Sequence, residues 1–302
     1  MRKKTIQIIG ALFLLACFSY TNVEPVKSFV DNKISAKNVV TPHSNNNSDK
    51  QTSQSRTLAH STSTQQQRKS GNVRKMEMPA DLHGVPERII EHIGYTVSFN
   101  REHNNPNYVA WELAADEAVG TVPRSNNFAP DPDVPAPHQV TTNDYKGCGY
   151  DRGHMAPAAD MKWSYEAMRE CFYMSNICPQ NHSLNAGSWQ VLEEACRRWA
   201  KQEGSVYIVC GPVYRGVKHK TIGKEHIITV PEGFFKVVLS LQKGKEKAIG
   251  FYYSNNDSRQ PMEQTAMSVD DIEEITGMNF FVNVKDDIED RVEATFSLKE
   301  WH

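Results

Sequence analysis

Apolar residues form one short block at the start of the chain, thin out through a long polar stretch, and return in strand- and helix-spaced runs beyond residue 80. Tyr95–Phe99 and Tyr108–Leu113 read as strands, and Asn104-Asn105-Pro106-Asn107 between them carries turn chemistry, so a hairpin is predicted. Val122–Gln139 is rich in Pro, Asp and Asn and is expected to be an irregular loop. Val206–Cys210 is a continuous apolar run closed by Gly211-Pro212, the pattern of a buried strand. Phe234–Leu241 and Ala248–Tyr253 add two strands around a Lys/Gly turn. Helical spacing covers Ser164–Met174 and Ser188–Gln202, where Trp189, Leu192, Cys196 and Trp199 share one stripe. Ser268 ahead of Val269-Asp270-Asp271-Ile272 signals a further helix start. The mixture predicts an α+β fold, a central antiparallel sheet flanked by helices.

The first apolar block has the layout of an export signal. Arg2, Lys3 and Lys4 precede Ile6–Ala16, a run too short to span a bilayer, which needs about 20 residues. It ends Leu14-Leu15-Ala16-Cys17, which resembles the bacterial lipobox. That resemblance implies a lipid anchor at Cys17 and membrane attachment outside the cytoplasm, in the periplasm or at the cell surface. If Cys17 is not lipidated, the signal implies secretion. Ser19–Met76 is polar, repetitive in composition and without periodicity, so it cannot bury enough surface to offset ordering entropy. A flexible tether of that length reaches roughly 40–45 Å. The expected organisation is a signal with lipobox over residues 1–17, a polar tether over 18–79 and one folded domain over 80–302.

Charge sharpens this division. The chain has 34 basic and 36 acidic side chains, yet residues 1–76 hold twelve basic against three acidic, leaving the folded part acidic. A uniformly basic nucleic-acid binder is excluded, and any phosphate site must be a local patch. Residues 144–224 run against the acidic balance of this domain, with eleven basic against eight acidic residues. The segment contains Asp151-Arg152-Gly153-His154, where one glycine separates a fixed cation from an imidazole, so both project to one side of an extended strand. It also contains Ser175-Asn176-Ile177-Cys178-Pro179-Gln180, followed by Leu184-Asn185, Trp189 and Leu192-Glu193.

These two patterns, in this order, resemble the DNA/RNA non-specific endonuclease family of ββα-metal nucleases. Arg124-Ser125-Asn126-Asn127-Phe128 looks like that family's upstream arginine region. The resemblance implies a metal-dependent enzyme that hydrolyses phosphodiester bonds of DNA and RNA without sequence preference. It gives His154 the role of general base for water and Asn185 that of ligand to Mg²⁺, with Mn²⁺ as a substitute ion. Phosphate stabilisation falls to Arg124 and Arg152, orientation of phosphate or metal waters to Asn176, and positioning of the motif to Asp151. Asn185 is a neutral oxygen donor that suits Mg²⁺, an ion that keeps several waters. Glu193 lies eight residues further along what reads as one helix, a rise of roughly 12 Å, so it is expected to reach the ion only through water.

Simpler readings stand beside these. Asn185 could cap the helix, Arg152 could stabilise the fold, and Glu193 could be a solvated helix charge. His182 with Cys178 lacks the second pair a zinc site requires and is read as structural. Cys148, Cys171, Cys178, Cys196 and Cys210 imply no particular pairing. The competing functions are a nuclease-like module that binds nucleic acid without cleaving it, and a phosphodiesterase for a small substrate. Homodimerisation, which occurs in the family, is left open.

Overall fold

The computed structural model describes residues 75–301. The expected export signal, Cys17 and the tether up to residue 74 lie outside the described residues. Residues 75–79, assigned above to the tether, are part of the fold. Lys75 Nζ meets Glu91 at 2.8 Å, and Met76 and Met78 pack against the core.

In chain order the elements are β1 (Arg88–Glu91), β2 (Thr96–Asn100), β3 (Asn105–Ala114), β4 (Asp151–His154), α1 (Tyr165–Glu170), β5 (Ile177–Gln180) and α2 (Gln190–Glu203). There follow β6 (Ser205–Val213), β7 (Thr221–Ile222), β8 (Ile228–Thr229), β9 (Gly233–Ser240) and β10 (Lys247–Ser254). The last are α3 (Met262–Thr265), β11 (Ala266–Met267), α4 (Val269–Thr276) and α5 (Asp286–Glu293). Seven strands form one antiparallel sheet in the order β1-β2-β3-β6-β9-β10-β11. The α+β expectation holds.

Strand periodicity splits the core in two. On β9, Phe234 and Val238 join a cluster with Leu192, Cys196 and Trp199 of α2, while Phe235, Val237 and Leu239 face Val269 and Ile272 of α4 and Val292 of α5. The β4–β5 ribbon and α2 therefore lie on one face of the sheet, and α4 and α5 on the other. α4 is started by a capping box, in which Ser268 and Asp271 exchange side-chain-to-backbone bonds at 3.1 Å, and it ends at Gly277, whose φ of 71° favours glycine.

Four boundaries differ from the pattern reading. The hairpin turns at residues 101–104, not at Asn104–Asn107, and Asn105 to Asn107 already pair or pack within β3. β6 runs on through Gly211 and Pro212 to Val213, because Gly211 has no Cβ to strike the Asn107 carbonyl. α1 stops at Glu170: the Asn176 amide takes the Cys171 carbonyl, and Ala129 exchanges backbone bonds with Phe172 and Met174. The stretch expected to begin a helix at Ser188 is a wide π-type turn over Leu184–Trp189, bent at Gly187 (φ −122°, ψ −108°), and regular helix starts at Gln190.

Beneath α2 the core contains charge. Lys236, 1% exposed, lies with Nζ 4.6 Å from the Trp189 ring centre and 4.9 Å from that of Trp111. Burial alone would push its ammonium down, but Cys210, Cys196, Glu193 and Asp160 more than offset this and hold it above its ordinary value. Asp160, also 1% exposed, accepts from Arg197 at 2.9 Å and from Trp111 Nε1 at 3.2 Å. The described cysteines are all free thiols, and burial pushes Cys171 and Cys196 up to about 12. Asp160→Ala strands Arg197 and Lys236 and should cost about 3–5 kcal/mol in urea unfolding, whereas Lys75→Ala, which breaks an exposed pair, should cost under about 1.

Candidate active site

Local register builds the site. β4 pairs with β5 through Asp151↔Gln180, Arg152↔Pro179, Gly153↔Cys178 and His154↔Ile177. Alternation sends Arg152 and His154 to one side of this ribbon and Asp151 and Gly153 to the other. Position 153 must be glycine, since a Cβ there would fall inside the Gln180 side chain.

On the first side two aromatic rings hold three functional groups. Phe128 and Phe172 meet edge to face at 4.9 Å, and the His154 ring lies 5.3 Å from the first and 4.8 Å from the second. Arg152 Cζ stacks 4.1 Å above Phe128, and Arg124 Cζ lies 5.1 Å from the centre of Phe172. The loop of residues 122–139 thus delivers both Arg124 and Phe128 to the β4–β5 ribbon. His154 is 8% exposed, and its Nε2 is buried without a hydrogen-bond partner. Burial, and then the Arg124 and Arg152 guanidiniums, push its imidazole down to about 3. The sequence reading gives this group the role of general base, for which the ordinary histidine value near 6.5 is the reference. In the free protein it is a neutral imidazole whose pKa lies well below that value.

On the second side Asp151 Oδ2 accepts from Asn185 Nδ2 at 2.9 Å and lies 2.8 Å from His182 Nδ1. Donation through Nδ2 fixes the amide and leaves Asn185 Oδ1 as the acceptor available to an ion. Asn185 does not cap α2: it lies within the π-type turn, and its own N–H bonds to the Asn181 carbonyl at 2.9 Å. Asp151, Arg152 and Asn185 line an open cleft of about 580 Å³ with Phe128, Lys146 and Tyr150. One wall of that cleft is fixed by Asp144, whose carboxylate accepts from the backbone of Thr141, Lys224, Glu225 and His226.

Two expected site residues stand further back. Asn176 is wholly buried, and its amide is committed to backbone: Oδ1 accepts from Ala156 N, and Nδ2 donates to the carbonyls of Ala156 and Cys171. It holds the chain that leaves His154 and has no donor left for phosphate or metal water. Glu193 lies beyond the bend at Gly187, so the single straight helix assumed between it and Asn185 does not exist. Burial pushes its carboxyl up to about 7, with Lys236 opposing the rise.

Other residues here carry no role in the sequence reading. Phe128 and Phe172 come from separate segments, with no spacing to link them to His154. His182, read as structural, meets Asp151. Gln180 is fully buried with both amide atoms unpartnered, on the same side of the ribbon as Asp151. Its position directly across from Asp151 becomes visible only with the register.

The model of the DNA/RNA non-specific endonuclease family matches residues 69–287, and so spans the loop, the ribbon and α2 together. The chain belongs to this family. It is 34% identical over 221 residues to the mitochondrial nuclease EXOG of Xenopus laevis, covering 67% of this chain and 62% of that protein. It is 35% identical over 173 residues to mitochondrial endonuclease G of Homo sapiens, covering 53% and 58%. The chain thus spans about three-fifths of the length of these two relatives. The crystal structure of an EndoG/EndoGI complex superposes with a TM-score of 0.64 at 26% identity, over 70% of this chain and 90% of that one. The ββα-metal nuclease architecture of the family is the one seen here.

Two outcomes follow from this geometry. The folded imidazole of His154 lies below the ordinary histidine value of about 6.5, so its contribution to stability is complete above that pH. It is lost as pH falls towards 3, because the unfolded chain takes the proton first. An NMR titration should therefore show no protonation of His154 between pH 5 and 8, and a transition near 6.5 would contradict the burial argument. Asp151→Ala, by releasing the Asn185 amide, should shift the Asn185 side-chain amide resonances in an NMR spectrum with little change in Tm.

Proposed function

We propose that the chain is a metal-dependent, sequence-non-specific endonuclease hydrolysing phosphodiester bonds of DNA and RNA. The observation that carries this reading is one cleft lined by both Arg152 and an Asn185 oriented by Asp151, with the unpartnered, neutral His154 Nε2 packed beside Arg152 and Arg124 on the Phe128 and Phe172 rings. The donors near Asn185 suit Mg²⁺, or Mn²⁺ in its place: hard oxygens, one neutral protein ligand, and an open cleft with room for the ion's waters. Bound there, the ion would supply Lewis-acid relief of charge on the phosphate and the leaving 3′-oxygen.

The chain's own groups perform the rest. His154 Nε2 accepts a proton from the attacking water, a step open to it because the imidazole is held neutral. Arg152 and Arg124, fixed on the faces of Phe128 and Phe172, offer positive charge to the phosphorane oxygens. Asp151 holds the Asn185 amide in the orientation that exposes Oδ1. Asn176 acts as a positioning residue by fixing the exit of β4. Glu193, no longer on a straight helix with Asn185, supports the charge balance of Lys236 and Arg197 and would act on a bound ion only indirectly. Lys146 and Tyr150 extend the cleft for a strand whose contacts are mainly to backbone phosphate.

The sequence also supports export. In this reading Arg2-Lys3-Lys4 and the following apolar block direct the chain out of the cytoplasm, and Cys17 carries a lipid that attaches it to a membrane.

Plasmid digestion tests the enzyme reading. EDTA should abolish cleavage and excess Mg²⁺ should restore it, and His154→Ala should lower kcat at least ~10²-fold with the fold intact. Cleavage by the metal-free protein, or near-normal cleavage by His154→Ala, would defeat the proposal. Mass spectrometry of the mature N-terminus should find a diacylated Cys17, and any other start refutes the anchor.

A further inference from the structure

The sheet face turned away from the cleft carries a second polar cluster that the proposed chemistry does not use. Asp270 and Glu273 stand three residues apart on α4 and so share one face, and Glu293 closes α5 beside them. One carboxylate oxygen from each of the three lies within 4.8 Å of the other two. Asp270 is exposed and Glu273 partly buried, whereas Glu293 is only 5% exposed. Its carboxylate is directed into the cluster, yet Glu293 Oε1 is buried with no hydrogen-bond partner.

No cation compensates this group among the described residues. Arg291, the basic residue of α5, turns to Glu246 at 3.3 Å, and Lys285 stands at the far end of the helix. Glu289 and Asp290 add further negative charge on the same helix, and burial together with Glu273, Glu289, Asp270 and Asp290 pushes the Glu293 carboxyl up to about 9. Three carboxylates at this separation, one of them buried and unpartnered, form an arrangement that a hard cation satisfies.

We infer that Asp270, Glu273 and Glu293 form a divalent-cation site, fitted to Ca²⁺, that ties α4 to α5. Ca²⁺ takes six to eight oxygens in a flexible geometry, whereas Mg²⁺ demands near-ideal octahedral geometry and usually binds through one or two carboxylates, so three carboxylates drawn from two helices suit Ca²⁺. Exposure of Asp270 leaves one side open for the waters that complete six to eight ligands. The site is separate from the Asn185 cleft, since α4 and α5 pack on the opposite face of the sheet. Glu293 also lies beyond residue 287, where the family match ends.

The test uses full-length protein carrying Asn185→Ala, so that binding in the cleft does not obscure the reading. Equilibrium dialysis against Ca²⁺ should find one ion per chain with Kd in the ~10⁻⁴–10⁻³ M range. At about ten times Kd the Tm should rise by ~3–6 °C. Adding Glu293→Gln should remove both the bound ion and the shift. Asp270→Asn, an exposed change that leaves the core intact, should weaken binding at least tenfold and guards against misfolding of the buried variant. In the otherwise wild-type chain Glu293→Gln should leave Mg²⁺-dependent plasmid cleavage unchanged, so failure here is distinguishable from failure of the nuclease reading. Absence of Ca²⁺ binding at millimolar concentration, or binding that survives Glu293→Gln, overturns the site and leaves Glu293 a buried, protonated acid.

Discussion

The antiparallel register of Asp151–His154 on Ile177–Gln180 decides which side of the ribbon each polar residue faces. A slip of one residue would turn His154 and Arg152 away from Phe128 and carry Asp151 away from Asn185. The register is held at both ends. Gly153 admits the Gln180 side chain at the point of closest approach, and Asn176 ties its amide to Ala156 and Cys171 just past His154. A buried asparagine with every amide group bonded to backbone is costly to displace, because its partners would be left unsatisfied in a dry interior. That constraint sets the end of α1, the start of β5 and the direction in which His154 leaves the strand.

Electrostatics then follow from packing rather than from net charge. The folded part is acidic, yet one side of the ribbon carries two arginines whose guanidiniums lie on aromatic faces instead of on carboxylates. Neither forms an ion pair among the described residues, so both offer their charge to an anion. The same two charges, added to burial, keep His154 unprotonated. Below them, the buried Lys236 and Asp160 meet the partly buried Glu193 and Arg197 of α2, with both signs of charge present. Burying charge is tolerable there because each group has an opposite neighbour, a hydrogen bond or an aromatic face. In the acidic cluster on the other face of the sheet Glu273 accepts from the Phe280 N–H, but the buried Glu293 Oε1 has no such partner, and that contrast singles it out.

Much of this protein is determined by its sequence alone. Alternating and continuous apolar runs locate the main strands, Ser268 and Asp271 mark the start of α4, and the spacing from Asp151 to His154 and from Ser175 to Glu193 carries the family. These signals are legible because they are local: a period of two, a cap, or a motif within one turn or strand. The roles of Arg124, Phe128 and Phe172 are not legible, since they come from distant segments and meet only when the loop of residues 122–139 bridges to Phe172 and Met174. The bend at Gly187 is likewise hidden, because Leu184–Trp189 has acceptable helical spacing and only its placement over the ribbon pulls Asn185 towards Asp151. Asn176 reads as a site residue from its motif, whereas burial makes it a brace. The neutrality of His154 and the isolation of Glu293 depend on how much water and which charges the folded chain leaves around them. Both are sums over residues far apart in sequence, so only the tertiary structure could decide them.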